Sequence, residues 1–234
     1  MLCGILRGEV TLSITDCITQ FYFCGIALTS EILLLAVMSY DRYLAICNPL
    51  QYIVIMVKKR CDKLVTLCWL FGITVSAAGS SMIRTLHFCG PNLIDHFFCD
   101  FFPLLQLSCS DTSAVELEQV FLAVPFVVSP IVYIVGTYIC IFITVIRIPS
   151  TLGRKKAMST FSSHLTVVCT FFGTLISVYV APASGNYLNT NKVVSVLYAV
   201  VTPLFNPVIY SLRNSEIRLA FKKYIGTVKR DTSL

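Results

Sequence analysis

The sequence is divided into apolar runs that are each as long as a bilayer is thick. They extend from about Ile18 to Ile46, Leu64 to Met82, Val120 to Ile146, Ala157 to Val180 and Val193 to Leu212. A hydrocarbon core of about 30 Å takes roughly 20 helical residues at 1.5 Å rise each, so every run predicts one membrane crossing. Inside lipid the backbone has no water to bond to, and a continuous run of this kind satisfies its own N–H and C=O groups only as an α-helix. Composition agrees, with 56% hydrophobic and 13% charged residues, where a soluble domain carries about 25% charged. The fold class is therefore all-α: a transmembrane helix bundle with spans at 18–46, 64–82, 120–146, 157–180 and 193–212, read as one domain over residues 1–234.

Charge gives the orientation, because Lys and Arg are held on the cytoplasmic side during insertion. Of the 18 basic residues, all but Arg7, Arg84 and Lys192 fall on one side of the predicted membrane. They cluster at Lys58–Lys63 after the first run, at Arg147 and Arg154–Lys156 between the third and fourth, and at Arg213–Arg230 after the fifth. Glu9, Asp16, Asp95, Asp100, Asp111, Glu116 and Glu118 collect on the other side. A multi-pass membrane protein is expected, with its N-terminus outside and its C-terminus on the cytoplasmic side. The net charge of +6 describes a rim facing anionic lipid and an acidic protein partner, and gives no argument for nucleic acid. The stretch from Ile83 to Glu118 is too long for a simple turn, and loops of such length are usually functional.

Eleven cysteines divide by side. Cys17, Cys89, Cys99 and Cys109 face the oxidising compartment, where bridges persist; four cysteines allow three pairings, and spacing does not choose among them. A metal site including His87 and His96 is the rival reading, but it lacks the paired Cys and His frame of a zinc centre. Cys24, Cys47, Cys61, Cys68, Cys140 and Cys169 read as thiols packed as small apolar groups, and Cys3 has no assigned role. No cofactor is expected, and the chain has no H-E-x-x-H, P-loop or G-x-S-x-G string, so no enzyme is read from it.

Three further segments carry chemistry. In Met38–Tyr52, Asp41 stands beside Arg42 at a membrane edge and can hold the guanidinium by a charge-assisted hydrogen bond; an Arg that merely snorkels to the interface is the plainer alternative. In Pro203–Tyr210, Pro207 removes a backbone donor and kinks the last span, while Asn206 offers an amide to the freed groups. Beyond it, residues 214–225 have one apolar and one basic face, which predicts a short helix lying on the membrane surface. Glu31 is the one acid deep in a span. Burying its charge costs at least ~2.5–3.5 kcal/mol, so it should face the bundle interior with a polar partner or be protonated.

Taken together, these strings resemble the rhodopsin-like G-protein-coupled receptors, and within them the olfactory receptor family. The resemblance lies in MSYDRYLAIC (Met38–Cys47), KAMSTFSSHLTVV (Lys156–Val168), PLFNPVIYSLRN (Pro203–Asn214) and the loop string Phe88–Thr112, and it covers nearly the whole chain. It implies a bridge from Cys17 to Cys99 and a second from Cys89 to Cys109. It places Asp41, Arg42 and Tyr43 in the segment that meets a heterotrimeric G protein, with Tyr138, Asn206, Pro207 and Tyr210 in the activation switch. It sets Glu31 where the family keeps an acid. It also implies an odorant pocket lined by Cys24, Gly25, Leu28, Thr29, Leu122, Phe126 and Tyr179. Those side chains make a largely apolar cavity suited to a small neutral molecule, and no Asp stands near Cys24 to hold an amine.

A family member has seven spans, so five imply a chain truncated at its N-terminus that begins in the first extracellular loop. The helices absent from it would leave Glu31 short of partners. Two other readings follow: a receptor fragment that does not signal, and, from Glu31 and the proline-broken last span, a membrane transporter.

Overall fold

The first long helix starts where Ser13 can cap it. Ser13 Oγ accepts the Asp16 backbone N–H at 3.2 Å and donates to the Asp16 carboxylate at 2.7 Å, which satisfies one of the free donors of the first turn and places an acid at the positive end of the helix. From there α1 (Ile14–Cys47) runs 34 residues, or about 50 Å at 1.5 Å per residue, so it reaches past the hydrocarbon core. It stops before Pro49, and Asn48 turns the chain into the short α2 (Pro49–Ile55).

The computed structural model describes residues 11–89, 93–95, 99 and 101–180. The fifth apolar run, the segment 214–225 and the residues Asn206, Pro207 and Tyr210 lie outside them. The chain divides into two compact units, Met1–Arg154 and Lys155–Leu234.

In the first unit α3 (Lys58–Ile83) follows α2. A long connection then contains α4 (Phe101–Gln106) and the strand β2 (Leu93–Asp95), which pairs antiparallel with β1 (Thr11–Ser13) in the register Thr11 to Asp95 and Ser13 to Leu93. This three-residue ribbon is the strand structure among the described residues of an otherwise helical chain. The third membrane-length segment is α5 (Ser113–Ala123), a π-helical turn (Val124–Val128) and α6 (Ser129–Arg147). Three of the described helical segments, Ile14–Cys47, Lys58–Ile83 and Ser113–Arg147, are long and apolar enough to cross a membrane.

The π turn is where the structure departs from an unbroken helix over 120–146. Pro125 and Pro130 stand five residues apart, each removes an N–H from the ladder, and the backbone widens between them. Ser129 Oγ takes up one freed acceptor, Pro125 O, at 2.7 Å.

Helix α1 is central to the first unit, packing on α3 along one side and on α6 along another. Against α3 the approach is close because the facing residues are small. A Cβ on Gly72 would meet Ser30 Oγ and stand 2.9 Å from Ile26 O, the small-residue packing through which membrane helices associate. Helix α1 also packs on α6, with Ile32 and Leu35 of α1 and Ile134, Ile141 and Val145 of α6 buried. Two polar contacts join these helices, Ser39 with Thr137 and Cys47 Sγ with Thr144 Oγ1 at 3.3 Å. The opposite sides of α3 and α6 expose Trp69, Leu70, Ile73, Val132, Val135, Ile139 and Phe142, as helices bathed in lipid do.

In α7 (Thr151–Val180), Phe161, His164, Val168, Phe171 and Leu175 are buried at three- and four-residue intervals, which is one stripe of a helix.

Candidate functional site

At the Cys17 end of α1 the long connection is packed. The structure joins Cys17 to Cys99 and Cys89 to Cys109, with Cα atoms 5.3 and 5.8 Å apart. The first bridge is buried with Ile18, Ile83, Leu86, Leu104, Leu105 and Val115, so residues from α1, α3, α4 and α5 share one apolar cluster. The second closes a small frame in which Cys109 N donates to His87 O at 2.9 Å and His87 N donates to Ser110 Oγ at 3.1 Å. Asp111, which follows, accepts from the Ser113 hydroxyl and N–H at 2.6 and 3.0 Å. Those bonds favour its charged form and hold its carboxyl below the usual carboxylate range.

Below this cluster lie the residues expected to line a pocket. Cys24, Gly25 and Leu28 are half-buried on α1 and Thr29 is buried. Gly25 faces α3: a side chain there would begin 2.8 Å from Ser76 Oγ. Leu122 is half-buried on α5, and the π turn that carries Phe126 packs on α1. The Phe126 ring itself meets Phe71 of α3 at 5.8 Å between centroids. Phe71 is half exposed, so Phe126 stands at the rim between α3 and the π turn. Tyr179 belongs to α7 in the second unit, and only its backbone is described. Glu31 is half-buried and engaged with a partner.

Polar groups that sequence reasoning missed stand beside these positions. Ser76 and Ser80 are buried on α3, and Gly79 between them leaves room for the Gln119 side chain, whose Nε2 would lie 2.7 Å from a Cβ at 79. The signal for them is a run of small residues, Gly72, Ser76, Gly79 and Ser80, at helical spacing in an apolar segment.

At the other end of α1, Arg42 Nε lies 3.3 Å from Asp41 Oδ2, the two side chains being 43% and 19% exposed. The Tyr52 hydroxyl on α2 stands near Asp41; burial first, and then the neighbouring carboxylate, push the Tyr52 pKa above its ordinary value. A partly exposed ion pair of this kind is worth about 1 kcal/mol at most, so it holds Arg42 in place while leaving it easy to release. Tyr43 accepts from Asn48 Nδ2 at 3.4 Å. Tyr138 is buried on α6 next to Thr137, which donates to Ile134 O at 2.7 Å and so leaves Ser39 to act as donor in their shared bond. On α2, Leu50, Ile53 and Val54 are exposed.

The structure thus gathers Asp41, Arg42 and Tyr52 at one end of α1, and Gly25, Ser76, Leu122 and Phe126 on neighbouring elements toward the other. Comparison with known proteins gives the family. A family model described as Olfactory receptor matches residues 1–227. Olfactory receptor 6Y1 of Homo sapiens is 44% identical over 225 residues, which is 96% of this chain and 69% of that receptor. Olfactory receptor 11A1 of Homo sapiens is 45% identical over 99% of this chain and 73% of that receptor. Olfactory receptor 226 of Rattus norvegicus is 46% identical over 95% and 69%. With a match that runs through nearly its whole length, the chain belongs to the olfactory receptor family.

Proposed function

We propose that this chain binds a small neutral odorant between α1, α3 and α5 and passes the event to a heterotrimeric G protein at the Asp41 end of α1. As an olfactory receptor it is an odorant-binding, G-protein-coupled, multi-pass protein of the plasma membrane. The finer assignments are ours: five spans and a surface helix at 214–225, an extracellular N-terminus and a cytoplasmic C-terminus. The pocket takes Cys24, Gly25, Leu28, Thr29 and Leu122, with Phe126 at its rim. The switch takes Asp41, Arg42, Tyr43 and Tyr138 together with Asn206, Pro207 and Tyr210.

The observation that carries the reading is the partly exposed Asp41–Arg42 pair, with Tyr52 of α2 near Asp41. Because the pair is weak, a ligand that favours a second packing of α1 against α6 needs only a small differential affinity to free Arg42. Ligand binding is then a shift between two bundle packings and breaks no covalent bond.

The test is Arg42→Ala, read as odorant-evoked cyclic-nucleotide rise in cells at surface expression equal to the parent chain. The response is expected to be lost. A variant that still responds fully would refute the mechanism.

A further inference from the structure

Two serines of α3 are buried and yet make no hydrogen bond. Ser76 Oγ and Ser80 Oγ have no partner, although the residues are only 6% and 5% exposed. In helices like these a hydroxyl ordinarily returns to a carbonyl one turn back, as Thr74 does to Leu70 O and Ser81 to Ala78 O, at 2.8 and 2.7 Å. Ser76 and Ser80 do neither. Four residues apart, they share one face of α3, their Cβ atoms roughly 5–6 Å from one another.

That face looks at α1. Ser76 Oγ stands 2.8 Å from where a Gly25 side chain would begin. On the same side, Ile83 packs with Cys17 and Ile18 in the apolar cluster. Ser80 lies between these two points along α3.

Resting on the reading of Gly25 as part of the odorant cavity, we propose that Ser76 and Ser80 are the polar anchor of that cavity. The ligand class they select is an aliphatic molecule with one oxygen function: an alcohol, an aldehyde or a ketone. A hydrogen bond between oxygens spans about 2.7–2.8 Å, so a single ligand oxygen can bond both hydroxyls where their Oγ atoms turn to within about 5.5 Å of each other. A carbonyl oxygen has a lone pair for each serine; an alcohol accepts from one and donates to the other. Both partners are neutral, and Leu28 and Cys24 leave the rest of the ligand in apolar surroundings.

The test uses the full chain purified in micelles and a panel of straight-chain alkanes, alcohols, aldehydes and ketones of matched length, read as the ligand-induced rise in melting temperature. The oxygenated members are expected to stabilise the parent at concentrations about tenfold below the matched alkane. Ser76→Ala or Ser80→Ala should narrow that gap by about 2–10-fold, the range of a single neutral hydrogen bond, and the double variant should close it. Without ligand the alanine variants should melt no lower than the parent, because each loses a hydroxyl that had no partner.

The anchor is overturned if the variants keep the full preference for oxygen. It is equally overturned if they melt lower without ligand, which would mean that water or protein already satisfies the hydroxyls. Equal stabilisation of the parent by alkane and alcohol defeats the anchor alone; a parent stabilised by no member of the panel counts against odorant binding itself.

Discussion

At Gly72 one hydrogen atom decides how closely two helices approach. A methyl group there would run into Ser30 Oγ and Ile26 O, at the point where Ser30 Oγ donates across to Cys68 O at 3.4 Å. Lipid offers helices no hydrophobic reason to associate, so close packing carries more of the work. Gly72→Ala is therefore expected to destabilise by about 1–3 kcal/mol, the usual penalty for overpacking. Gly136→Ala meets nothing within 4 Å and should be neutral or stabilising by up to about 1 kcal/mol. Melting both variants in the same micelles checks this, and equal midpoints would count against the crossing as drawn. Among single residues, legibility follows distance along the chain. Asp41 and Arg42 could be paired on sight because they are neighbours. Tyr52 reaches Asp41 only after the turn at Asn48, and Ser39 meets Thr137 across 98 residues, so no periodicity announced either contact. Phe126 shows the same. The resemblance assigns it to the pocket, and its ring contact with Phe71 on α3 could not be read from the sequence.

At the scale of elements, the apolar runs announce helices because a 20-residue run has one way to satisfy its backbone in lipid. The exceptions also have causes in the sequence. Two prolines five residues apart open the π turn at Val124–Val128, and Ser13 with Asp16 sets the start of α1. The connection after Ile83 was legible as a functional loop, but its form was not. Its three-residue strand pairs with residues some 80 positions earlier in the sequence, and its core is built from four elements at once. The two bridges in it differ in how much chain they close, 82 residues for Cys17–Cys99 and 20 for Cys89–Cys109. By loop-closure entropy the longer is worth about 4.5 kcal/mol and the shorter about 3.3 kcal/mol. The longer is also embedded in the apolar cluster. Replacing Cys17 and Cys99 by serine should thus lower the melting temperature in micelles more than replacing Cys89 and Cys109. The reverse order would mean that the small frame around His87, and not the buried bridge, holds the loop to the bundle.

For the whole molecule, the informative feature is a placement that works against local helix stability. Helix α3 opens with Lys58, Lys59 and Arg60, has no acid in its first turn and no side-chain cap from Val57. Cations at the positive end of a helix dipole are unfavourable by about 0.3–1 kcal/mol each. On the proposed orientation that cost is offset by retention of Lys and Arg on the cytoplasmic side during insertion, with attraction to anionic lipid worth about 1 kcal/mol per basic residue near the surface. On the same proposed orientation, Arg84, alone at the far end of α3, lies outside the cell. Both Lys59 and Arg84 are exposed, so each can be replaced by cysteine and probed with a membrane-impermeant maleimide, scored above the labelling of the parent chain. Arg84→Cys should label in intact cells, and Lys59→Cys only after permeabilisation. Since a single span separates the two positions, the opposite pattern would invert the whole topology. The Asp41 end of α1 would then face away from any G protein, and the coupling mechanism would fail with it.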